Sequence, residues 1–129
     1  MNEIDQLKKA SDGLLWTSEA DYPFEVFTWD NADTFTPALV LERAGYPRDA
    51  PVKVLTLDEF FTPATTEKDW HNEEEKAQVK RYQNLVTTLK QNLNDIQVYK
   101  FGEVQMDVYI PGKTDTGTIA GLSTKAVET

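Results

Sequence analysis

Residues 14–29 read LLWTSEADYPFEVFTW, and this stretch decides how the chain begins to fold. Two apolar runs are joined through an acidic knot, Ser18-Glu19-Ala20-Asp21, closed by Tyr22-Pro23. Pro23 fixes its own φ, has no N–H to donate and pushes Tyr22 toward an extended conformation, so no helix runs through this point. In FEVFTW, Phe24, Val26 and Thr28 alternate with Glu25, Phe27 and Trp29. That aromatic and β-branched content predicts a strand with both faces at least partly covered. Glu19 is then expected on a short, stiff loop between a helix end and a strand, where a carboxylate can be aimed.

Upstream, Ile4, Leu7, Ala10 or Ser11, and Leu14 recur at helical spacing over residues 1–13, with Gly13 as the stop. Downstream, 30–34 read as a loop. Thr36-Pro37 gives an N-cap followed by proline at the first helical position, opening a short helix through Ala44 that Gly45 ends. VKVLT (52–56) predicts a strand, and Thr56 with Glu59 a capping box opening a brief helical turn, LDEFF. The longest helical signal covers 67–94, where Val79, Tyr82, Val86, Leu89 and Leu93 form one apolar face and Glu73-Glu74-Glu75 favour the dipole at its start. IQVYKFG (96–102) and EVQMDVYI (103–110) alternate as strands about a turn at Gly102. Pro111-Gly112 is expected to break the second strand, and 116–127 to form the last. The elements predict one α+β domain over residues 1–129 with a layered core.

The chain has 129 residues, 40% of them hydrophobic, enough for one core. No apolar run reaches membrane-span length, the polar start MNEIDQLKK is unlike a signal peptide, and cysteine is absent. Those features lead us to expect a soluble cytoplasmic protein with no membrane association. The balance of 22 acidic against 13 basic residues gives a net charge of −9. It disfavours direct nucleic-acid binding, which needs clustered Lys and Arg. An acidic surface suits a partner with a basic cleft, although many proteins are acidic for solubility alone.

The residues favour a binding protein over an enzyme. Cysteine is absent and His71 is the one histidine, so a Cys–His pair is impossible and a serine triad would depend on that residue alone. Following Asp69 and Trp70 near a helix start, it is expected to be an exposed spectator. No GxSxG, phosphate loop or metal-ligand spacing is present. Glu19 reads from the bare sequence as a loop acid capping nearby N–H groups. Asp69 fits a Thr66-Glu67-Lys68-Asp69 capping pattern, and Trp70 is either a core anchor for the helix start or an exposed interface anchor. Thr129, by default a frayed terminus, follows a segment that reads as strand nearly to its end.

LLWTSEADYPFEVF, ATTEKDW (64–70) and GLSTKAVET, with QLKKASDGLL, DAPVKV, NLNDIQVYKFGEV and MDVY between and before them, resemble the nuclease A inhibitor family over nearly the full chain. Members of that family bind and block a sugar-non-specific endonuclease of the ββα-metal class. The resemblance implies a three-layer α/β/α sandwich with a mostly antiparallel sheet, similar to pathogenesis-related-1 proteins. It implies that Glu19 reaches the nuclease's catalytic Mg²⁺ region, where a hard cation accepts a carboxylate in place of a phosphate oxygen. Asp69, Trp70 and Thr129 fall on family positions that contact the nuclease, the last near the metal. A one-to-one complex is expected, with no cofactor and no metal of the chain's own. Trp16-Thr17, His71-Asn72 and the 30–36 loop depart from the family pattern at the rim. Two other readings remain: an acidic interaction module with a different partner, and a small hydrolase using Glu19 and Asp21.

Overall fold

The computed structural model describes residues 3–17, 21–29, 36–47, 50–102, 105–114 and 118–127. The elements run α1 (Glu3–Ser11), β1 (Leu15–Thr17), β2 (Asp21–Pro23), β3 (Glu25–Trp29), α2 (Pro37–Arg43) and β4 (Val52–Leu55). They continue with α3 (Leu57–Thr65), α4 (Glu73–Asn92), β5 (Val98–Gly102), β6 (Gln105–Lys113) and β7 (Ile119–Val127). The fold is α+β. Five strands form one antiparallel sheet in the order β3-β7-β6-β5-β4, and β1 pairs with β2 in a separate two-stranded ribbon.

The two-residue period of the strands divides the sheet's side chains between two clusters. Val26, Val98, Val108, Ile110, Ala120 and Leu122 join Leu7 of α1, Phe60 and Phe61 of α3, and Tyr82, Leu85 and Leu89 of α4. The alternate residues Phe27, Trp29, Tyr99, Phe101, Tyr109 and Ile119 join Val40 and Leu41 of α2. Both faces of the FEVFTW strand are therefore used, as its composition predicts. On α4 the apolar face is as expected except that it also includes Leu85, which is fully buried while Val86 is only partly so.

Local chemistry sets most boundaries. Thr36 accepts from the Leu39 N–H at 3.2 Å, with Pro37 opening α2. Thr56 and Glu59 form the expected capping box, but α3 runs nine residues and passes Pro63 rather than stopping after LDEFF. Packing of Phe61 against Phe24 and Tyr82, with ring centroids 6.3 and 6.1 Å apart, anchors the turn that spans the bond Pro63 lacks.

Two other expectations are corrected. Helix α4 starts at Glu73 rather than 67, because Asn72 is its cap: Asn72 Oδ1 accepts from the Glu75 N–H at 2.8 Å, and Glu75 Oε1 accepts from the Asn72 N–H at 3.3 Å. Strand β6 continues through Pro111-Gly112 to Lys113. The Pro111 carbonyl accepts from Gln97 N–H at 3.3 Å, so the backbone edge that lacks an N–H faces the segment before β5. The ladder to β7, where Pro111 lies opposite Gly121, loses nothing.

Candidate partner-binding surface

Of the four residues singled out by sequence, Asp69 and Trp70 are described, whereas Glu19 and Thr129 lie outside the described residues. Asp69 and Trp70 occupy the middle of a turn from Lys68 to His71, at the head of α4. The turn closes when the His71 N–H donates to the Lys68 carbonyl at 3.1 Å. Both middle residues are exposed, Trp70 by 76%. Since Asn72 caps α4, Asp69 lies three residues before the cap, and Trp70 is not a core anchor. A tryptophan this exposed leaves a large apolar surface in water, the composition of an interface anchor.

His71 is not the exposed spectator the sequence suggested. Its side chain is only 15% exposed and its Nδ1 accepts from the Lys68 N–H at 3.1 Å. It lines a cavity of about 310 Å³ between α3 and α4, with Pro63, Ala64, Val79 and Tyr82 among the walls. Tyr82 also meets Phe24 edge-on at 6.3 Å, linking this cleft to the residue that follows β2.

The elements flanking the other two candidates are well defined. Residues 18–20 join β1 to β2, which pair with Thr17 opposite Asp21 and Leu15 opposite Pro23. The segment before 18–20 is therefore the strand β1, where the sequence predicts a helix end, while Glu19 itself lies outside the described residues. Thr124 of β7 donates to the Pro23 carbonyl at 3.0 Å, so the ribbon runs beside the last part of β7. A cleft of about 260 Å³ opens there, lined by Tyr22, Glu25, Asp107, Tyr109 and Lys125 among others. Burial raises the Tyr109 hydroxyl's pKa above the usual tyrosine value, with further contributions from the Asp107 and Glu25 carboxylates. Sequence reasoning missed this cleft because its residues come from four strands, β2, β3, β6 and β7, and only their pairing brings them together.

Among the described residues no group of His, Asp or Glu side chains is placed to hold a metal ion. No helix among them is long and apolar enough to cross a membrane.

The family model for nuclease A inhibitor-like proteins matches residues 1–129, the whole chain. The chain belongs to that family. No curated protein matches it. Family membership turns attention to surfaces fit for a protein partner, and the Asp69–Trp70 turn is the most exposed large apolar feature among the described residues.

Proposed function

We propose that the chain is a cytoplasmic protein inhibitor that forms a one-to-one complex with a sugar-non-specific DNA/RNA endonuclease of the ββα-metal class. It occludes the substrate cleft and presents Glu19 to the partner's catalytic Mg²⁺, with Asp69, Trp70 and Thr129 anchoring the surface around it. The chain itself catalyses nothing in this reading. The observation that carries it is the family match over residues 1–129, and the 76% exposure of Trp70 supports the anchor. The β1–β2 ribbon beside β7 supports a common surface for Glu19 and Thr129, because the strands leading to both run side by side. An interface of roughly 1,600 Å² in total is expected. The two sheet-facing clusters support a single domain of three-layer α/β/α type, similar to pathogenesis-related-1 proteins.

The test is cleavage of plasmid DNA by such a nuclease with Mg²⁺, titrated with this protein and with Glu19→Ala. Stoichiometric inhibition that weakens in the variant supports both the function and the aimed carboxylate. Equal inhibition by both moves the binding energy to the anchors. No inhibition by either would favour an acidic interaction module with another partner.

A further inference from the structure

The turn that carries Asp69 and Trp70 is closed twice. Besides the backbone bond from His71 N–H to the Lys68 carbonyl, the Lys68 N–H donates back to His71 Nδ1, each at 3.1 Å. We infer that His71 is a positioning residue for partner recognition, whose imidazole, accepting from the Lys68 N–H, fixes the direction in which Asp69 and Trp70 leave the surface. This inference rests on the reading that those two residues contact the nuclease.

A tryptophan 76% exposed has little packing to orient it, so its direction follows from the backbone beneath. That backbone is tied to the helix through a chain of contacts. His71 Nε2 lies 4.0 Å from Glu75 Oε2, while Glu75 Oε1 accepts from the Asn72 N–H in the cap of α4. Because Nδ1 accepts, the neutral ring carries its proton on Nε2, on the side of Glu75. The imidazole is only 15% exposed at the edge of the α3–α4 cleft, so most of its surface is packed against the protein rather than free to follow the turn. Lys68 Nζ stands 6.0 Å from the Trp70 ring centroid and the His71 ring meets it edge-on at 5.9 Å, so these contacts of the indole come from the two residues that close the turn. Ordering a free side chain on binding weakens association, and a brace that orders it beforehand removes that cost. The brace therefore acts on affinity for the partner.

The first test uses the free, full-length, ¹⁵N-labelled protein: a scalar coupling between the Lys68 amide nitrogen and His71 Nδ1, across the hydrogen bond. Its presence is expected; its absence overturns the brace, whatever the partner. The second compares affinity for a sugar-non-specific ββα-metal endonuclease. His71→Leu should bind roughly three- to tenfold more weakly. His71→Asn, whose Oδ1 takes the place of Nδ1, should bind like the parent. His71→Gln carries its acceptor too far along the side chain and should resemble His71→Leu, which keeps the test open if the leucine variant does not fold. In a Trp70→Ala background, His71→Leu should cost less than in the parent, since only Asp69 is left for it to misdirect. If Trp70→Ala binds weakly while every His71 variant binds like the parent, the positioning role is wrong and the nuclease contact stands. If Trp70→Ala itself binds like the parent, the contact reading fails, and the positioning role with it.

Discussion

The Tyr46 hydroxyl donates a 2.5 Å hydrogen bond to the Asp107 carboxylate, joining positions 61 apart in sequence. Tyr46 follows α2 and packs edge-on against Phe101 at 4.7 Å, so this bond pins the end of α2 to β6. The same contact pushes the Tyr46 pKa up to about 12, chiefly through the hydrogen bond and then through burial.

Removing that hydroxyl in Tyr46→Phe leaves the ring packing intact but deprives Asp107 of a donor. A bond to a charged group is worth about 1.5–3 kcal/mol when well shielded, and partial exposure here lowers the expected loss to about 1 kcal/mol. Chemical denaturation of the variant checks this. The pH dependence has a definite sign. A phenol that holds its proton more tightly when folded contributes stability below the unfolded value near 10. That contribution disappears as pH rises toward the folded value of about 12. Tyr99 and Tyr109, both raised by burial, act in the same direction. Stability should fall through that alkaline window, less steeply in Tyr46→Phe.

Gly121 lies opposite Pro111 at the centre of the sheet, and a Cβ there would overlap the Ile110 carbonyl oxygen and stand 3.0 Å from Pro111 Cα. The obstacle is backbone on a paired strand, which cannot turn aside. Gly121→Ala should destabilise by about 3 kcal/mol or more. Gly45→Ala is the control: at φ +86° it meets strain but nothing within 4 Å, so its loss should be about 1–2 kcal/mol. Equal denaturation midpoints for the two variants would contradict the close strand approach.

Asn72 satisfies the Glu75 N–H at the start of a twenty-residue helix. Asn72→Ala should lower stability by about 1 kcal/mol, and Asn72→Asp, which keeps the acceptor, should restore most of it. Thermal unfolding followed by circular dichroism distinguishes the two.

Much of this architecture is legible in the sequence wherever a local rule acts alone. Thr36-Pro37 and Thr56 with Glu59 mark helix starts because a cap needs only residues three apart. The alternation in FEVFTW marks a strand covered on both faces because side-chain direction depends only on position. Misreadings arise where a distant partner decides. Pro111 reads as a strand breaker until the missing N–H is seen to face away from β7. LDEFF reads as a brief helical turn until Phe61 is seen packed on Phe24 and Tyr82. The pairing of Leu15–Thr17 with Asp21–Pro23 escapes because neither segment is long enough to show a period. At the candidate surface, Asp69 and Trp70 are visible as residue types. The brace from His71 is not, since a lone histidine beside a helix start has no sequence signature.

Trp70 and Phe61 make opposite predictions from the same residue class. Phe61 is 1% exposed at the centre of the larger cluster, and Phe61→Ala should cost about 3–5 kcal/mol of stability through lost transfer energy and the cavity left behind. Trp70, 76% exposed, has almost no packing to lose, so Trp70→Ala should leave the unfolding midpoint within about 0.5 kcal/mol of the parent. As an anchor in a desolvated interface it should cost about 2 kcal/mol or more in nuclease binding, a rise in Kd of roughly thirtyfold or more. Measuring both quantities on both variants separates the roles. A Trp70→Ala protein that unfolds early would return the residue to the core, and one that is stable and still inhibits fully would remove it from the binding surface.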